Sequence, residues 1–217
     1  MHTFVDDRTY YNEQAQAYFK KTARLDSSSF LLPFVSRLKK GDSILDLGCG
    51  SGRDLLWLKN RGLRPMGFER SPILAQMARD HSDCPVIEGD FLSYDFSSFR
   101  VQGLLFSASL VHLPQALVES ALDNALYALD GKGVVYVSLK MGEGESFDTE
   151  ARRFFLWSEE DLRMLFSRLG LDVLDFRKTP SVRGTNETWL SFTLHFDKDK
   201  PLYRYPERLF LKNHTSF

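Results

Sequence analysis

The stretch Ile44-Leu45-Asp46-Leu47-Gly48-Cys49-Gly50-Ser51-Gly52-Arg53-Asp54 decides the fold. Ser43 to Leu47 is a short apolar run and predicts a buried strand. Gly52 to Lys59, with Leu55, Leu56, Trp57 and Leu58, predicts a helix that stops at Asn60-Arg61-Gly62. Between them, glycines without Cβ let the chain turn sharply and let a ligand approach the main chain. The helix behind them presents free N–H groups. The spacing separates this turn from the dinucleotide fingerprint G-x-G-x-x-G, which needs a glycine where Arg53 stands. Asp46 sits two residues before the first glycine. A carboxylate there would repel a pyrophosphate but suits a ligand with an ammonium group and no phosphate.

Outward from this turn, strand-like and helix-like segments alternate. Leu63 to Glu69 predicts a second strand. Ser71-Pro72 caps a helix running to about His81. Val86 to Glu88 and Val101 to Ser107 predict a third and a fourth strand. A helix from Pro114 to Leu129 carries Leu117, Ala121, Leu122 and Ala125 at helical spacing. Asp130 to Gly133 predicts a turn, and Val134 to Leu139 a fifth strand whose continuous apolar run fits a parallel sheet covered on both faces. Residues 140 to 156 are polar and glycine-rich and predict a loop. Ser158 caps a further helix ending at Gly170. Leu171 to Phe176 and Thr188 to Phe196 predict two last strands, joined without a helix and so able to pair as an antiparallel hairpin.

The expected fold is therefore α/β: a doubly wound, Rossmann-like, seven-stranded and mainly parallel sheet with an antiparallel edge hairpin and helices on both faces. Residues 1–217 are expected to form one domain. Residues 8–40 would be an N-terminal helical cap, 43–196 the core and 197–217 a basic tail with Lys198, Lys200, Arg204, Arg208 and Lys212. The net charge of −1 lacks the basic excess of a dedicated nucleic-acid binder. Two cysteines provide no disulfide framework, and the N-terminus has no apolar leader-like core, so a cytoplasmic protein is expected. No apolar run approaches the roughly 18 residues of a membrane span.

With these residues in view, the chain resembles the class I S-adenosylmethionine-dependent methyltransferases, whose first signature ILDLGCGSGRD matches closely. The resemblance runs from about Tyr11 to Phe196 and is nearest to small enzymes acting on small molecules. It implies S-adenosylmethionine as cofactor and S-adenosylhomocysteine as product. Asp46, Gly48, Cys49, Gly50 and Gly52 would form the cofactor turn, although Cys49 itself reads as packed rather than reactive. Glu69, followed by Arg70, would take the ribose hydroxyls at the second strand's end. Asp90 and Phe91 would take the adenine, and Ser107 and Ala108 the methionine part. Tyr11, with Tyr10, Tyr18 and Phe19, matches a lid whose aromatic faces suit a sulfonium cation.

Methyl transfer asks mainly for alignment and exclusion of water. A base is needed only if the acceptor must lose a proton. His112 is the candidate for it, the alternative being a packing role beside Pro114. No metal-ligand, P-loop or Ser-His-Asp constellation stands out. Lys140, Arg152, Arg153 and Arg183, with Phe147, Phe154 and Phe155, would receive a small-molecule acceptor with an apolar or aromatic body and an anionic group. Acceptors of protein or RNA, and a non-catalytic sensor of the cofactor, remain open at this point, as does the oligomeric state.

Overall fold

The computed structural model describes residues 7–199, and the tail positions from Lys200 onward lie outside them. A seven-stranded sheet comprises β1 (Ser43–Leu47), β2 (Arg64–Glu69), β3 (Val86–Glu88), β4 (Val101–Ser107), β5 (Leu129–Lys140), β8 (Leu171–Pro180) and β9 (Thr188–Asp197). Its order is β3-β2-β1-β4-β5-β9-β8. β1 to β5 run parallel, while β9 is antiparallel to both β5 and β8. The strand order reverses between β1 and β4. An open α/β sheet has its crevice at such a switch point, outside the carboxyl ends of the strands.

Both faces of the sheet are covered. Leu104, Phe106, Val135 and Val137 pack with Ala121, Leu122 and Ala125 of α6 (Gln115–Leu126) and with Leu162 and Phe166 of α7 (Glu159–Arg168). The alternate residues Leu105, Val134 and Tyr136 pack on the other face with Leu31 and Phe34 of α3 (Ser28–Val35) and Leu58 of α4 (Arg53–Lys59). Each fully buried Leu, Val or Phe among them contributes roughly 1.5–3 kcal/mol. α5 (Pro72–Ser82) begins as expected, with the Ser71 hydroxyl accepting the Leu74 N–H, and it ends at Asp83 in the left-handed region.

Several boundaries differ from expectation. The N-terminal segment is divided into three short helices, α1 (Asp7–Glu13), α2 (Ala15–Thr22) and α3. Gly52 is the cap of α4, not its first residue, because its φ of 73° is left-handed. The helix predicted to reach Leu129 ends at Leu126, and β5 begins at Leu129. The predicted turn at 130–133 lies within β5, whose pairing continues through Lys132↔Asp197 and Gly133↔Phe196 despite the left-handed Gly131. Residues 140–156 contain a small hairpin, β6 (Glu145–Phe147) with β7 (Arg153–Phe155). β8 extends past Phe176 to Pro180.

Candidate active site

The carboxyl ends of β1, β2 and β4 surround a cavity of about 740 Å3. Its floor is the glycine turn. Gly48 has φ 80°, and a Cβ there would stand 2.4 Å from the Ser109 Cβ. At Gly52 a Cβ would meet the Ala78 backbone at 2.9 Å, so this position holds α4 against α5. The Gly48 and Cys49 N–H groups donate to the Phe68 carbonyl at 2.7 and 3.1 Å, tying the turn to β2. Glu69, buried at the tip of β2, accepts from the Gly50 N–H at 2.9 Å and from the Ser71 N–H at 2.9 Å. Burial raises its pKa, and these backbone donors oppose the shift.

Gly48, Gly50, Glu69, Arg70, Phe91, Ser107, Ala108, His112 and Tyr11 all line this cavity. Cys49 packs with Leu55, Ala75 and Cys84, lines the second cavity described below, and has its thiol held well above the usual range by burial. Asp90 is not brought into the lining: its carboxylate faces Arg70 at 3.2 Å and accepts the Leu92 N–H. Asp46 does not line the cavity either. It is 1% exposed and its Oδ2 has no hydrogen-bond partner. Burial, and then the neighbouring Asp54 carboxylate, push its pKa far up.

Asp54 is a site residue that the sequence reading missed. It sits in the first turn of α4 and lines a second, larger cavity of about 940 Å3. Burial alone would raise its pKa, but Arg53 outweighs that and holds it below the usual carboxylate range. Arg53 Nε and Nη2 both donate at 2.8 Å, and Ser27 Oγ donates at 2.5 Å. The available signal was the Arg53-Asp54 pair directly behind the last glycine. The larger cavity also takes Tyr136, Ser138 and Lys140 from β5, Trp189 and Ser191 from β9, Arg152 and Phe154 from beside and within β7, and Arg183 from the β8–β9 connection. Of the expected acceptor-side residues, Arg153 instead pairs with Glu145, and Phe147 is exposed.

The two cavities share Tyr11, Tyr18, Gly48, Ser107 and Ala108. Ala108 has φ 57°, a costly backbone for a residue with a Cβ, and its N–H donates to Ser138 Oγ at 2.9 Å. His112, in a 3₁₀ turn (Leu110–His112), stands next to this seam. Its Nδ1 lies 2.6 Å from the Arg153 carbonyl, which can only accept, so Nδ1 carries the proton. Nε2 therefore accepts from the Tyr11 hydroxyl at 2.8 Å, and Arg152 Nη1 donates to the Tyr11 oxygen at 3.2 Å. Burial, chiefly, lowers the His112 pKa from 6.5 to about 4, so the ring is neutral at pH 7. Tyr18 lies over the turn, its Cε1 3.2 Å from where a Gly50 Cβ would be, and Tyr11 meets it edge-on at 5.1 Å. Tyr10 and Phe19 face elsewhere, toward Glu150 and His81.

Residues 44–133 match the family described as a methyltransferase domain. An uncharacterized protein of Methanocaldococcus jannaschii is 30% identical over 120 residues, 52% of this chain and 45% of that one; the match thus spans less than half of the relative's length. The fold is similar to a 1,6-didemethyltoxoflavin-N1-methyltransferase of Burkholderia thailandensis, solved with 1,6-didemethyltoxoflavin and S-adenosylhomocysteine bound. The TM-score is 0.70 at 18% identity, covering 87% of this chain and 85% of that one. It is also similar to a TehB-like SAM-dependent methyltransferase of Corynebacterium glutamicum, with TM-score 0.61 at 22% identity over 84% and 98% of the two chains. Among the described residues, no helix is long and apolar enough to cross a membrane.

Proposed function

We propose, on the premise that this chain belongs to the class I methyltransferases through residues 44–133, that it moves a methyl group from S-adenosylmethionine to a small-molecule acceptor, leaving S-adenosylhomocysteine. The observation that carries this reading is the seam. A cavity built on the glycine turn and Glu69 meets a second cavity at Tyr11, Tyr18, Gly48, Ser107 and Ala108. Two reactants held in separate cavities that touch at one wall are what in-line displacement requires. In this reading residues 8–40 cap a core spanning 43–196.

When bound, S-adenosylmethionine supplies a methyl group on a positively charged sulfur, already activated for transfer. The residues fit that group. Each Glu69 oxygen accepts one backbone N–H and keeps acceptor capacity for a ribose hydroxyl. Phe91 offers a ring to the adenine, with Arg70 and Asp90 outside it. Asp46 stands buried behind the turn with one unpartnered oxygen, and the paired Arg53 and Asp54 line the second cavity. Tyr11 and Tyr18 present aromatic rings to a cation and exclude water. His112 holds its Nε2 lone pair on Tyr11. A proton leaving the acceptor would pass to the Tyr11 oxygen as the phenolic proton passes to Nε2.

Calorimetry with S-adenosylhomocysteine tests the cofactor half: binding is expected, with at least a tenfold loss, about 1.4 kcal/mol, in Glu69→Gln. No heat would overturn it. Methyl-labelled S-adenosylmethionine incubated with fractionated cell extract tests the acceptor half. Label in the small-molecule fraction is expected, and label confined to protein or RNA would overturn that class.

A further inference from the structure

The larger cavity has a charge arrangement that methyl transfer does not require. Its wall carries the cations Arg53, Lys140, Arg152 and Arg183 against the single acid Asp54. Arg53 is taken up by Asp54. The other three come from separate places: the end of β5, the residue before β7 and the β8–β9 connection. Lys140 pairs with Glu187 at 2.6 Å, and Arg152 with Asp148 at 2.6 Å and Glu150 at 3.6 Å, yet none of these acids lines the cavity. Cations face the space and their counter-charges lie outside its wall. Arg183 makes no ion pair among the described residues.

Folding does not explain this. The Lys140 and Arg152 side chains are only 7% and 4% exposed. Buried ion pairs seldom stabilise more than apolar residues of the same volume would. The cations are also seated on rings. Lys140 Nζ stands 3.2 Å from the Phe154 centroid and 5.9 Å from that of Trp189, and Arg152 Cζ stands 5.3 Å from Phe154. A cation so placed is held in position with little hydration and attracts an anion strongly.

Resting on the methyl-transfer reading, we infer that the acceptor is a small aromatic acid, its anion held by Lys140, Arg152 and Arg183 and its ring against Phe154 and Trp189. The nucleophilic group of such a molecule is then directed toward the seam at Tyr11 and Ala108. Charge selects the acceptor class, and the aromatic wall selects a flat body over a flexible one.

The test is calorimetry on the full chain saturated with S-adenosylhomocysteine, the probes being 2-hydroxybenzoate and quinoline-2-carboxylate, each beside its neutral carboxamide. The acids are expected to bind at least tenfold tighter than the amides, about 1.4 kcal/mol. Arg183→Ala, on an exposed connection, and Lys140→Gln are each expected to lower acid affinity about tenfold while leaving amide and S-adenosylhomocysteine binding unchanged. Should Lys140→Gln fail to fold, Arg183→Ala carries the comparison. Equal binding of acid and amide, no binding of either acid, or acid affinity unchanged in Arg183→Ala would overturn the inference while the cofactor reading stands. Absence of S-adenosylhomocysteine binding at the outset would instead overturn the reading beneath it.

Discussion

Around Gly48 the chain makes a cavity wall out of backbone, whereas around Lys140 it makes one out of side chains. The first wall uses main-chain donors fixed to β2 and positions where a Cβ finds no room. The second uses residues drawn from β5, β7, β9 and their connections, each held by its own ion pair, ring or hydroxyl. A backbone wall accepts one ligand shape and fails when any atom is added. A side-chain wall can be rewritten residue by residue with the sheet beneath it left standing. Such a division lets one half of a molecule keep a common reactant while the other half changes partner.

Substitutions break this contrast most sharply at the glycine turn. Gly48→Ala places a Cβ against Ser109 and asks a non-glycine residue to hold φ 80°. We expect a loss of about 4 kcal/mol in denaturant unfolding, from overpacking and left-handed strain together, along with loss of S-adenosylhomocysteine binding. A stable Gly48→Ala protein that binds normally would show that the wall is softer than described.

The seam provides the next test. His112 has its folded pKa lowered from 6.5 to about 4, so the unfolded chain binds the extra proton first as pH falls. The contribution of the neutral ring is fully present above pH 6.5. It declines between 6.5 and 4 and is spent below 4, amounting to about 3 kcal/mol in all. Urea titrations across that window should show the decline, and His112→Asn should flatten it. An equal decline in the variant would place its origin elsewhere.

The smallest effect belongs to the side-chain wall. Tyr136→Phe removes one buried bond, from the Tyr136 hydroxyl to Ser191 Oγ at 3.1 Å, and leaves the ring packed on Phe34. A cost of about 1 kcal/mol is expected with cofactor affinity unchanged. A change in S-adenosylhomocysteine affinity would mean that the two walls are not independent.

The same contrast governs what can be read from sequence. β1, β3 and β4 were legible to the residue because apolar runs bounded by glycine, serine or acids admit few alternatives. The turn was legible because glycine spacing is itself a backbone requirement. The hairpin of β6 and β7 was not, since its strands carry Glu145 and Arg153 within residues 140–156, which read as polar loop. The turn predicted at 130–133 lies within β5 because Leu129 pairs with β4 before the left-handed Gly131 and pairing with β9 begins just after it, at Lys132. In the site, Glu69, Arg70, Phe91, Ser107 and Ala108 converge from at or just beyond strand ends, joined by His112 from its 3₁₀ turn and Tyr11 from α1. Tyr136, Ser138 and Ser191 escaped notice because they lie inside strands, where alternation reads as core. Asp54 escaped because an acid in a helix's first turn already has an ordinary explanation in the helix dipole.

Chain segments far apart in sequence are fastened together at Glu150. Tyr10 donates to Glu150 at 2.5 Å and Lys21 reaches the same carboxylate at 2.7 Å, so α1 and α2 are clasped to a residue 140 and 129 positions away. A contact across so long a loop stabilises little until the intervening chain is ordered. A fastening of this kind sits at the surface of the fold and can yield at α1 and α2 while the strands stay paired.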